Sequence, residues 1–118
     1  MKINYIKCHG SGNEFVMIDT VVQQVDQSLL PALSNAVCNR ELGIGADGIL
    51  LLVQNVDGLY GMRMFNPDGS EAEMCGNGIR CLGKYVYEKG YTEKENLKIE
   101  TLSGIRSLRL ITLGTKVK

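Results

Sequence analysis

Short strand-like runs come in pairs along this chain, and single helical stretches separate the pairs; this alternation, more than any other feature, limits what it can fold into. Residues 3–7 and 14–18 read as two strands joined by the polar, glycine-bearing link His9-Gly10-Ser11-Gly12-Asn13, a hairpin signal. A first helix is expected over residues 29–42. Ser28 is placed to cap it, Pro31 sits in the first turn, Leu30, Leu33 and Val37 form its apolar stripe, and Gly43 stops it. The continuous run Ile49-Leu50-Leu51-Leu52-Val53 reads as a buried strand, paired across an Asp57-Gly58 turn with residues 60–65. Asn66-Pro67-Asp68-Gly69 is a strong turn signal. A second helix is expected over residues 78–89, with Ile79, Leu82 and Val86 on one face, Arg80, Lys84 and Glu88 on another, and Gly90 ending it. Residues 97–102 and 107–113 close the chain as strands around Ser103-Gly104. The order β-β-α-β-β-α-β-β describes one α+β domain, mostly antiparallel strands wrapped around a central second helix.

The 118 residues suit a single core, and thirteen basic side chains balance thirteen acidic ones. That balance argues against a nucleic-acid or anionic membrane partner. No apolar run reaches the roughly 18 residues of a membrane span. The cytoplasm is the expected compartment, and there Cys8, Cys38, Cys75 and Cys81 are read as free thiols. With one histidine, His9, and no C-x-x-C pair, a metal site is not expected.

Glycine is in excess, at 14 residues, and its placement separates a decoy from a site. Gly43-Ile44-Gly45-Ala46-Asp47-Gly48 matches the dinucleotide-binding glycine pattern, but a helix precedes it and a strand follows, the reverse of what a pyrophosphate needs. It is read as a helix-to-strand connection. Met74-Cys75-Gly76-Asn77-Gly78-Ile79-Arg80-Cys81 differs, because it sets a thiol just ahead of a helix beside two residues that let the backbone approach closely. N–H groups from Gly76 to Ile79 can bind a carboxylate and favour thiolate at Cys75. Asn77 and Asn66 add neutral amide donors. The plainer reading makes Cys75 a small buried residue at a helix cap. Cys81, in the helix body, Cys38, beside the first helix's stripe, and Cys8, at a strand end, are read as structural, and His9 as a hydrogen-bonding turn residue.

Three segments together resemble the diaminopimelate epimerases: residues 9–15 (HGSGNEF), residues 40–48 (RELGIGADG), and residues 65–70 (FNPDGS) running on to Met74-Cys75-Gly76-Asn77-Gly78. They occur in that family's order and spacing and span essentially the whole chain. Proline racemases have a similar cysteine block but usually carry histidine where this chain has Asn77. The resemblance implies an isomerase that interconverts L,L- and meso-diaminopimelate in lysine and peptidoglycan precursor synthesis, without pyridoxal phosphate. A thiolate on one face of the α-carbon and a thiol on the other carry the proton. Cys75 matches the first cysteine. Asn13, Asn66, Gly76 and Asn77 match substrate-binding positions. Gly48 departs from the glutamine found in many members.

The resemblance also implies two similar domains, with the second cysteine in the C-terminal one, and Cys8, Cys38 and Cys81 do not match that second cysteine. Residues 1–118 are therefore expected to be the N-terminal domain, inactive alone, with an exposed face for the missing C-terminal domain or for a second copy in a homodimer. The competing reading is a non-catalytic domain that holds a carboxylate or phosphate at the second helix; a thiol redox protein is a third.

Overall fold

A computed structural model describes residues 3–10, 12–73, 76–113 and 116–117, so Met74 and Cys75 lie outside the described residues. The strands are β1 (Ile6–Gly10), β2 (Asn13–Asp19), β3 (Gly48–Gln54), β4 (Tyr60–Phe65), β5 (Glu71–Ala72), β6 (Asn96–Thr101), β7 (Gly104–Arg109), β8 (Thr112–Leu113) and β9 (Lys116–Val117); the helices are α1 (Leu30–Cys38) and α2 (Gly76–Glu88). A seven-stranded sheet runs β1-β2-β3-β4-β6-β7, with β5 also on β4, while β8 and β9 pair separately. Hairpin pairs are antiparallel; the β2–β3 and β4–β6 pairs, each bridged by a helix, are parallel.

Strand direction reverses between the two crossovers, so crossovers of the usual right hand deliver the helices to opposite faces of the sheet. Two cores result. Toward α2, Phe15, Met17, Leu50, Leu52, Met62 and Met64 pack on Ile79, Leu82 and Val86. Toward α1, Val16, Ile18, Ile49, Leu51 and Phe65 pack on Leu30 and Cys38. The unbroken apolar run of β3 is thereby explained, since a strand covered on both faces has no polar side to alternate with. β6 has one covered face and does alternate, with Leu97, Ile99 and Thr101 turned inward.

Several expected boundaries move, each for a local reason. α1 ends at Cys38 rather than at 42, because the Asn39 side-chain oxygen accepts from the N–H groups of Glu41 and Leu42 and turns the chain out of the helix. Gly43 still matters to that end: a Cβ there would lie 2.2 Å from the Ala36 carbonyl oxygen, so the chain can fold back against the helix only at a glycine. Ser28 does not cap α1. It lies in a short 3-10 turn, Gln27–Leu29, where Asp26 accepts from both its N–H and its hydroxyl. α2 begins two residues before the expected 78, and β1 is shifted to Ile6–Gly10, which puts His9 in a strand opposite Glu14 instead of in the turn. β7 starts at Gly104 rather than 107 and ends at Arg109; part of the remainder forms the β8–β9 pair.

Candidate functional site

β2 begins at Asn13, β3 begins at Gly48 and β4 ends at Phe65, and the register sets Phe15 opposite Gly48 and Ile49 opposite Phe65. These termini therefore share one edge of the sheet. The first turn of α2 arrives at the same edge: the Asn77 side-chain amide donates to the Asn13 side-chain oxygen at 2.6 Å, across 64 residues of sequence.

Asn13 is itself oriented by a carboxylate. Its side chain bonds to Asp47, whose Oδ2 accepts the Glu14 N–H at 2.8 Å and whose Oδ1 accepts the Arg40 guanidinium at 3.2 Å. The Asp47 N–H returns a bond to the Glu14 carbonyl at 2.8 Å. The Glu14 N–H first, then Asn13 and Arg40, hold the Asp47 carboxyl below the usual carboxylate range, so it is ionised near neutral pH and only accepts. Asn13 must then turn its NH2 to Asp47 and its oxygen to Asn77, which fixes both amides. Glu14 is likewise held low, by Lys7 at 3.1 Å and then by Arg40 at 3.7 Å.

Asn66 lies one residue past β4, at the same edge, but its amide donates to the Ser70 hydroxyl at 3.1 Å and not to the Asn13–Asn77 pair. Its carbonyl accepts the hydroxyl of Ser34, a fully buried residue of α1, at 2.8 Å, and the N–H of Gly69 at 2.9 Å. The Asn66–Ser70 turn is thus tied to α1 and presents Asn66 at a fixed place. Gly76, the first residue of α2, is exposed and would place a Cβ in open space, with nothing within 4 Å. Gly48 is the opposite case. A Cβ there would meet the Phe65 carbonyl oxygen at 2.9 Å and the Met64 methyl at 3.0 Å, so this position offers a ligand no side chain.

The described sequence-predicted positions, Asn13, Asn66, Gly76 and Asn77, are thus gathered at one edge, with Asn13 and Asn77 in contact; Cys75 lies outside the described residues. The arrangement can hold an anion: Gly76 leaves open space at the N-terminal end of α2, the end of a helix that favours negative charge, and neutral amides flank it. Sequence reasoning missed Asp47 and Arg40. Both stand in the 40–48 block, where the glycine pattern drew attention away from the charge pair. Cys81 on α2 lies in the α2-side core and Cys8 on β1 packs against that core, as the structural reading of both expected. Cys38 packs on the α1 side against Ser34, and burial raises it. Among the described residues, no group of three or more His, Cys, Asp or Glu side chains is placed to hold a metal, and no helix is long and apolar enough to cross a membrane.

Known proteins bear on this geometry in two ways. In the solved structures, a hydroxyproline epimerase from Agrobacterium vitis shares the fold with a TM-score of 0.74 at 13% identity, over 96% of this chain and 38% of that one. A phenazine biosynthesis protein from Bacillus anthracis does so with a TM-score of 0.74 at 22% identity, over 98% of this chain and 38% of that one. At such identities the likeness is one of fold. In sequence, the diaminopimelate epimerase of Moorella thermoacetica is 50% identical over 115 residues, and that of Methanococcus maripaludis is 44% identical over 115 residues; each alignment takes in 98% of this chain and 41% of the relative's length. The chain thus spans about two fifths of those relatives. The family model described as diaminopimelate epimerase matches residues 5–118. The chain belongs to the diaminopimelate epimerase family.

Proposed function

We propose that this chain supplies one half of the cleft of a diaminopimelate epimerase, with Cys75 carrying the proton on one face of the substrate's α-carbon. The observation that carries the reading is the Asn77–Asn13 contact, which joins the first turn of α2 to the start of β2 next to the residue that follows Cys75. Removing an α-proton from an amino acid without a cofactor leaves charge that must spread onto the carboxylate as the proton departs. The N–H groups at Gly76 and Asn77 and the side-chain amides of Asn13, Asn77 and Asn66 are the donors for it. None carries a charge of its own, so the site can bind substrate without trapping it as a salt. Gly76 gives the carboxylate room, and its helix end favours thiolate at the residue before it.

Inversion needs an acid and a base on opposite faces. The second thiol, and the closure that excludes water, belong on this reading to a C-terminal domain that pairs with residues 1–118. The span of about two fifths of the relatives' length supports this division. The substrate is a diamino dicarboxylic acid and the place of action the cytoplasm. A carboxylate- or phosphate-binding role without catalysis rests on the same open helix end and differs in making Cys75 dispensable.

The test is reconstitution. The chain alone should not interconvert L,L- and meso-diaminopimelate by chiral chromatography. Adding the separately expressed part of the Moorella thermoacetica relative that lies outside the matched stretch should restore turnover, and Cys75→Ala in this chain should abolish it. Turnover by the isolated Cys75→Ala chain would refute the two-base reading.

A further inference from the structure

We propose that Arg63 is a positioning residue: by clamping Glu71 it locks β5 to β4 and sets the spacing between Asn66 and the first turn of α2. β5 is two residues long, and its ladder, Met64 opposite Ala72 and Phe65 opposite Glu71, is too short to hold it firmly by itself. Side chains do the rest. Arg63 and Phe65 share the α1 face of β4, as alternate residues of a strand do, and the guanidinium lies 5.2 Å from the Phe65 ring centroid. From there Nε donates to Glu71 Oε2 and Nη2 to Oε1, each at 2.8 Å, a two-pronged contact that a lysine cannot copy. Nη1 donates to the Gln27 side-chain oxygen, in the 3-10 turn that leads into α1. On the other face of the sheet Ala72 packs on the α2-side core, so β5 is anchored from both sides.

Among the described ion pairs this one is the most shielded, with its side chains 32% and 22% exposed. The hydrogen bonds from Arg63 hold the Glu71 carboxyl below the usual carboxylate range. With both carboxylate oxygens and all three guanidinium nitrogens engaged, the pair serves the fold and not a ligand.

The hairpin that it closes carries one segment of the site on each arm. β4 ends at Phe65 and hands on to Asn66; β5 ends at Ala72, and residues 73–75 join it to Gly76 at the head of α2. The Asn66 amide bonds Ser70 and not the Asn13–Asn77 pair, so the hairpin, and no direct bond from that amide, carries the distance between them. Ser34 fixes the Asn66 carbonyl to α1, and the Arg63–Glu71 clamp fixes the other arm. This role rests on the reading of Asn66 and the first turn of α2 as two sides of one substrate site.

Two measurements test it. In the enzyme reconstituted with the part of the Moorella thermoacetica relative outside the matched stretch, Arg63→Met should raise KM for the diamino acid by about 3–10-fold, as one misaligned neutral hydrogen bond would. A loss of folded protein alone lowers the rate at saturation and leaves KM where it was. Val53→Ala, which loosens the α1-side core on β3, should therefore leave KM unchanged. In this chain alone, nitrogen–proton correlation spectra should show Arg63→Met moving the N–H signals of both residues 66–70 and residues 76–79, while those of β6 and β7 stay in place. Glu71→Gln weakens the clamp from its other side and should reproduce both results if the arginine variant folds poorly. A wild-type enzyme without turnover would refute the epimerase reading and leave the spectra to decide the spacing. An unchanged KM in a folded, active Arg63→Met enzyme, a rise of the same size in Val53→Ala, or signals that move in only one of the two segments would overturn the proposal.

Discussion

Asp47 orients the site without being part of it. Its carboxylate fixes the Asn13 amide, which accepts from Asn77, and at the same time caps the Glu14 N–H. Replacing it by alanine should lower stability by about 1 kcal/mol, a figure kept small because the side chain is 38% exposed to solvent. The sign of the pH dependence follows from the lowered carboxyl: its contribution is complete above the unfolded value of about 4 and is lost as pH falls through the lower folded value. Urea unfolding of the wild type and Asp47→Ala should therefore differ at pH 7 and converge in strong acid. A gap that persists unchanged into acid would contradict this role. No local sequence pattern announces Asp47, because its partner Glu14 is 33 positions away. Asn77 was legible, since a glycine-flanked amide at a helix start has a physical meaning before any fold is known.

Elements were read from period, and period worked where one side of the chain is buried. Ile79, Leu82 and Val86 all face the core from α2, and β4 occupies residues 60–65, the partner strand that the Asp57-Gly58 turn implied. Ends were harder to read. The apolar stripe of α1 gave no sign that Asn39 would end the helix, because the competing bonds come from its own side chain and from the returning chain at Gly45 and Ala46. Two glycine substitutions separate packing from ligand access. Gly48→Ala forces a Cβ against the Phe65 carbonyl and should cost about 1–3 kcal/mol in thermal or urea unfolding. Gly76→Ala meets nothing and should leave stability unchanged or raise it by up to about 1 kcal/mol, while reducing turnover in the reconstituted enzyme. Equal losses of stability at the two positions would count against the open helix end.

At the scale of the molecule, the reversal of strand direction between the crossovers explains why helices cover both faces of the sheet and why one edge gathers β2, β3, β4 and α2 termini from segments far apart in sequence. The α+β class was legible from the paired strands; the two parallel pairings follow from where the helices cross and could not be read from any one segment. What the edge does is tested most directly by a chimera in which this chain replaces the matched stretch of the Moorella thermoacetica relative, a protein 50% identical to it there. The measurement is the rate of interconversion of L,L- and meso-diaminopimelate with Cys75 present and with Cys75→Ala. The two-thiol account predicts that the chimera turns over and that the alanine variant, still folded by circular dichroism, falls by about 10²–10⁴-fold, the range for a lost acid–base group. A folded chimera whose rate does not depend on Cys75 would contradict it.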